Sequence, residues 1–386
     1  MEKTITIKER VFYYDFLRAI AIIGIVACHV SANFLVNPAT LGSFGWNFAA
    51  FIDCFRDFSI PIFVMLTGAL LLNKNYSLSD FVKKRLNRVF IPYLFWSLLY
   101  VGFSFLFIRH DLSFNGIVGI VLGHAGTIGV ILWFVWMVLV VYVAILIINK
   151  IIFAVKSKYS NSNSKFIKNF DSILIKSLVC IFIIYLLWIK FTHFNPIANR
   201  LIYYISFIGY AALGYYLAHT DFTEGKIVNF FRFTPNKILI TSLIISISTY
   251  CYYVSEIINL SNKVGHFSSY SYFTFILLIL AINVFLFFRY FEESNHKTIK
   301  NSYLWIKKGF IGKIINSLSK TSYGIYLVHF VLMKYLYVLI LFSVGYNNYN
   351  PVIVLPILLI VVLILSWIII TILSKIPYLN RFSGAN

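Results

Sequence analysis

The sequence predicts an all-α fold: a polytopic transmembrane helix bundle of about ten spans, with both termini cytoplasmic. Three observations carry this. Of 386 residues, 60% are hydrophobic and only 12% charged, with a mean hydropathy of +0.84; soluble domains run at about 45–50% apolar and about 25% charged. The apolar residues fall in blocks of about 20, the length that crosses ~30 Å of hydrocarbon. Lys and Arg alternate from one inter-span segment to the next, as the positive-inside rule requires.

The blocks place spans at 13–33, 49–72, 89–108, 129–149, 172–190, 201–219, 237–255, 270–289, 321–343 and 351–374. Each is expected to be helical, because hydrocarbon offers no partner for an open backbone. Segment 113–125 is apolar but short and glycine-rich, and reads as re-entrant or interfacial. The N-terminus carries Lys3, Lys8 and Arg10, and the 34–48 segment carries no Lys or Arg. Segment 73–88 holds Lys74, Lys83, Lys84, Arg85 and Arg88, whereas the next has Arg109 alone. The alternation continues to 290–320, rich in lysine and read as a loop, and to 344–350, which has no Lys or Arg. The tail carries Lys375 and Arg381. The first span keeps Arg18 and His29 within its apolar run and lacks a small-residue cleavage site, so it is expected to stay as an uncleaved anchor. Residues 1–386 are expected to form one multi-pass domain of the plasma (inner) membrane, with no separate soluble domain.

The net charge of +20 fits anionic headgroups and topology signals. Nucleic acid is excluded as a partner, because no basic soluble domain exists to hold it. Cys28, Cys54, Cys180 and Cys251 lie in apolar blocks without CxxC spacing and read as small apolar side chains. There is no HExxH, no clustered Cys/His set, no P-loop and no GxSxG elbow, so no metal or bound cofactor is expected.

Ionisable residues inside spans are costly and usually functional. Asp15, Arg18 and His29 share the first span. Arg18 and His29, eleven residues apart, fall on one helix face about 16 Å apart along the axis. Asp15 sits three residues before Arg18 and can pair with it. The alternative is an interfacial Asp15–Arg18 pair, with His29 only reaching the opposite interface. Arg85 and Arg88, at i and i+3, suit a bidentate grip on phosphate; beside Lys83 and Lys84 they equally suit plain topological anchoring. His329, within the ninth predicted span, can line a site or bridge helices, and Lys334 follows five residues on. Asp53, Arg56 and Asp57 either orient His29 and an acceptor or form a surface ion cluster. Glu256, His193 and His124 read as loop or interface residues.

The Asp15, Leu17, Arg18, His29 pattern resembles the opening signature of the membrane acyltransferase family 3. Ile60-Pro61-Ile62-Phe63 leading to Thr67-Gly68, Leu132-Trp133-Phe134, and Tyr323-Gly324-Ile325-Tyr326-Leu327-Val328-His329 are similar to later motifs of the family, in its order. The resemblance implies acyl transfer to a hydroxyl of a cell-surface or lipid-linked sugar, with acetyl-CoA or another acyl-CoA as donor substrate. It implies catalytic roles for His29, Arg18 and Asp15, donor binding by Arg85 and Arg88, and site-lining positions for His329 and Trp133; Asp53, by its place near the outer start of the second span, is the further site-lining candidate. Histidine would act as base or acyl carrier. Membrane lipid, acyl-CoA and a glycan acceptor are then the expected partners. The competing reading is a transporter or flippase of a lipid-linked sugar, which uses intramembrane charge to bind its cargo.

Overall fold

The computed structural model describes residues 11–107, 113–122, 126–160, 164–192, 194, 196, 199–223, 234–269, 271–344 and 350–385. Among them the secondary structure is helical throughout, with no strand. The principal helices are α1 (Phe12–Leu35), α2 (Phe44–Asp53), α3 (Phe55–Leu71), α4 (Asn87–Phe107), α5 (Phe114–Val121), α6 (Gly126–Lys158) and α7 (Phe170–Thr192). They continue with α8 (Arg200–Ser206), α9 (Ile208–His219), α10 (Pro235–Val264), α11 (Phe275–Glu293), α12 (Lys297–Lys308), α13 (Phe310–Val344) and α14 (Pro351–Lys375).

Among the described residues, nine helical stretches are long and apolar enough to cross a membrane, and they coincide with nine of the ten predicted spans. The remaining predicted span, 321–343, lies within α13, which begins already at Phe310. Segment 290–320 is therefore not a loop. It holds α12 and the first turns of α13, because a helix leaving hydrocarbon keeps its own hydrogen bonds while Lys313 and Lys320 reach outward. The second predicted span starts earlier, at Phe44, and is broken at Cys54. The sixth is broken at Phe207. In segment 113–125, α5 has 8 residues, about 12 Å of rise, too short to cross, and it packs on α4 and α6. Residues 123–125 of that segment, with His124, lie outside the described residues, as does His193.

The helix that carries the paired charges is the centre of the bundle. α1 packs on α13, α3, α2, α14 and α11, and most of its side chains are buried. Helix association in lipid depends on close packing more than on apolar burial. The closest approach is between α3 and α9. A Cβ on Gly68 would overlap the Ala211 carbonyl, and one on Gly214 would overlap the Met65 backbone. That explains why glycine follows Thr67. At one end of this pair Asn149 ties α6 to α3, donating to the Leu71 carbonyl at 2.8 Å and accepting from the Asn73 amide at 2.8 Å. The outer helices turn apolar surface to lipid: Ile181, Ile184, Trp188 and Phe191 of α7 are exposed.

Candidate active site

The site begins at the packed faces of α1 and α13. Asp15 is buried, and Ser319 Oγ donates to its Oδ1 at 2.6 Å. Arg18 Nη1 lies 3.8 Å from the same oxygen. A buried carboxylate is tolerable only with such partners, so this contact also fixes the register between the two helices. About three turns further along α1 stands His29. Its ring centroid is 5.2 Å from that of His329, with 34° between planes, and 6.0 Å from that of Phe330. Residues 300 positions apart in sequence thus form one histidine pair.

His329 is fully buried. Its Nδ1 lies 2.7 Å from the Tyr326 carbonyl oxygen and 3.1 Å from that of Ile325. Carbonyl oxygens only accept, so Nδ1 carries the hydrogen and Nε2 presents its lone pair. That Nε2 is buried and has no hydrogen-bond partner among the described residues. Such an unmet acceptor is costly and calls for an explanation. Lys334, further along α13, places its Nζ 5.5 Å from the Phe330 ring centroid.

Below the histidines lies a cavity of about 150 Å³, whose polar lining includes Arg18, Arg85, Arg88, Tyr142, Ser322 and Tyr323. Phe63, Phe134 and Tyr326 contribute apolar wall. The Tyr326 ring lies 5.2 Å from that of Phe134 and 6.1 Å from that of His329, so the cavity wall abuts the histidine pair. Arg85 and Arg88 also line a wider open cleft of about 940 Å³ and so stand between the two spaces. Among the described residues neither has a carboxylate partner.

The backbone beneath these arginines differs from expectation. Residues Val82–Leu86 form a π-helical turn ahead of α4, not the plain α-helix from which a shared i, i+3 face was inferred. Such turns interrupt the regular ladder and recur at functional sites. Here both guanidiniums still reach the cavity.

The structure places Asp53 away from water. Arg56 pairs with Asp53 at 3.5 Å and with Asp57 at 3.0 Å, and both carboxylates are buried. Ser31 donates to Asp53 at 3.3 Å, and the Tyr253 hydroxyl donates to Asp57 at 2.9 Å. Arg56 also reaches Cys28 Sγ at 3.6 Å, next in sequence to His29. Of the two readings of this cluster, a surface ion cluster does not describe it, because both carboxylates are interior. Trp133 packs among Tyr203, Tyr204, Phe207 and Tyr272, with ring centroids 5.5–6.4 Å away. Its neighbour Phe134 lines the arginine cavity, and Trp133 does not. Glu256 is part of α10 and not of a loop. Sequence reasoning missed Ser319 and Tyr142; neither has a spacing signal, and only helix packing brings them in. Among the described residues no group of three or more His, Cys, Asp or Glu side chains is placed to hold a metal.

No curated protein and no solved structure shows significant similarity to the chain. A family model described as an acyltransferase domain matches residues 11–371. The match runs from the start of α1 into α14 and takes in the histidine pair and the arginine cavity. The chain is a multi-pass membrane protein that belongs to acyltransferase family 3.

Proposed function

We propose that this acyltransferase moves an acetyl group from acetyl-CoA to a hydroxyl of a cell-surface or lipid-linked sugar, in the plasma membrane and with both termini cytoplasmic. The observation that carries the reading is one line of sites. Arg85 and Arg88, which have no carboxylate partner among the described residues, stand at a cavity mouth that gives way to an apolar wall, and that wall ends at two histidines in ring contact.

In this reading Arg85 and Arg88 hold donor phosphates as charge-assisted hydrogen-bond donors, and Arg18, braced by Asp15, guides the arm between helices. The thioester then lies near the His29–His329 pair. The free Nε2 of His329 takes the proton of the attacking hydroxyl while the new C–O bond forms and the C–S bond breaks. The leaving thiolate receives that proton, so the reaction is proton-neutral overall. General base catalysis of this kind contributes roughly 10²–10⁴-fold. Arg56, which reaches Cys28 beside His29, and Lys334, over the Phe330 ring that contacts His29, supply positive charge for the developing oxyanion. Acyl-histidine formation before transfer uses the same groups.

The test is purified protein in lipid nanodiscs with radiolabelled acetyl-CoA and a lipid-linked oligosaccharide. Label in the sugar together with stoichiometric free CoA is the expected result. Movement of the oligosaccharide across the bilayer without consumption of thioester would overturn the reading in favour of a transporter.

A further inference from the structure

The cleft outside Arg85 and Arg88 concentrates cations beyond what topology requires, and one wall of it is built by the segment that follows α14. Lys83, Lys84, Arg85, Arg88, Lys320 and Arg381 line it, and none of its described lining residues carries a side-chain carboxylate. Lys84 pairs with Asp80 at 3.2 Å; the other five have no carboxylate partner among the described residues. Exposure does not set these cations apart, since Lys297 and Lys300 of α12 are exposed as Lys320 and Arg381 are; the shared cleft does, and Lys297 and Lys300 do not line it.

The wall is held in place. After α14 the backbone takes positive φ at Tyr378 (67°), makes a short 3-10 turn over Asn380–Phe382, and takes positive φ again at Gly384 (70°). A tyrosine in that region persists only where surrounding contacts hold it. The Tyr378 side chain is exposed, but backbone bonds from Leu379 to Pro377 and from Asn380 to Ile376 bracket it, and the residues after it are packed. Trp96 Nε1 donates to the Phe382 carbonyl at 3.1 Å, and the Phe382 ring stacks on Phe95 at 4.9 Å. The Ser383 carbonyl lies against Gly324, where a Cβ would overlap it. Ser383 and Gly384 are buried, and the Arg381 guanidinium lies 4.7 Å from the Phe382 ring centroid. The backbone that carries Arg381 is thereby held at the cleft, where its exposed side chain shares the lining with Lys320 of α13.

We infer that Arg381 and Lys320 form a second phosphate subsite, which holds a phosphate monoester apart from the group gripped by Arg85 and Arg88. The inference rests on the proposed donor and specifies how it is recognised. A CoA thioester carries a diphosphate on its arm and a separate phosphate on the ribose 3′ position, and the subsite takes the latter. An anionic lipid headgroup offers the same phosphate chemistry, so the test separates the two.

The experiment measures binding of CoA and of dephospho-CoA, which lacks the ribose phosphate, to the full chain in phosphatidylcholine nanodiscs. The wild type should prefer CoA by about tenfold or more, the usual consequence of one charge-assisted contact. Arg381→Gln and Lys320→Gln should lower CoA affinity toward that of dephospho-CoA while leaving dephospho-CoA binding unchanged, which also certifies the fold. Arg381→Lys should retain part of the preference, Lys300→Gln all of it, and Arg85→Gln should weaken both ligands. Equal wild-type affinities, or an unchanged ratio in Arg381→Gln, overturn the subsite. So does a preference that appears only when phosphatidylglycerol is absent, because lipid phosphate then occupies it. A wild type that shows the preference but transfers no acyl group would sink the proposed function and leave the subsite standing.

Discussion

Replacing His329 separates a catalytic role from a structural one, because the two predict opposite signs. His329→Leu removes the Nδ1–H contact to the Tyr326 and Ile325 carbonyls. Those carbonyls belong to the body of α13, so they keep helical partners, and the loss is about 0.5–1.5 kcal/mol. The same change removes a buried acceptor that has no partner, which relieves about 1–3 kcal/mol. The net expectation is a fold at least as stable as wild type, read as an unchanged or higher midpoint of thermal unfolding in detergent. Turnover should nevertheless fall by roughly 10²–10⁴-fold, the contribution of a positioned base. His329→Gln, which keeps polarity but does not titrate near neutrality, should be nearly as slow. Initial rates of CoA release under saturating donor, beside unfolding curves for each variant, give both quantities. Retained turnover in the well-folded leucine variant would refute the assignment; a large loss of stability would refute the reasoning about the unmet acceptor.

Three further outcomes follow from the geometry. Arg85→Ala and Arg88→Ala should each raise the donor KM by about 10- to 150-fold, from 1.5–3 kcal/mol per charge-assisted bond, with lysine restoring only part; an equal effect of Lys83→Ala would instead favour lipid anchoring. Gly214→Val should cost at least 1–3 kcal/mol of stability by forcing α9 off α3, whereas Gly102→Ala, with nothing within 4 Å of the added Cβ, should be tolerated in the same unfolding assay. Reporter fusions should be active in the cytoplasm after residue 386 and outside it within 344–350, and the reverse pattern would refute the threading.

The spans were legible because hydrocarbon forces a local solution: each block of about 20 apolar residues has to satisfy its own backbone. Helix ends were not, since nothing in water requires a helix to stop where its apolar run stops. α6 continues to Lys158, and α13 begins at Phe310, a full eleven residues before its apolar stretch. In the site, Arg18 and His29 could be placed on one face from spacing alone, because both belong to one helix. The His29–His329 contact could not, since it depends on how α1 and α13 pack. Which of Trp133 and Phe134 faces the arginine cavity depends on the rotation of α6, and a motif of three adjacent residues carries no information about rotation. The π turn under Arg85 was likewise invisible, because Val82–Leu86 reads as ordinary helix in composition.

The unmet Nε2 of His329 bears on how the proposed reaction would favour its transition state. A buried acceptor without a partner raises the energy of the resting site by about 1–3 kcal/mol. An acceptor sugar that brings a hydroxyl to that atom removes the penalty, and so does the proton that the same atom carries as the C–O bond forms. The second gain is the larger, because a hydrogen bond to a charged group exceeds a neutral one. Binding energy realised more fully in the transition state than in the ground state lowers the barrier. The neighbouring ring of His29, 5.2 Å away, bears on the return of the proton. A base fixed through its Nδ1–H to two backbone carbonyls cannot swing toward the leaving thiolate. A second histidine, on a different helix and closer to the line of Arg18, can accept the proton and release it there. On this argument the pair divides the work: His329 holds a fixed lone pair for the acceptor, and His29 moves the proton. Loss of His29 should therefore slow turnover while leaving acceptor affinity almost unchanged, whereas loss of His329 should weaken both.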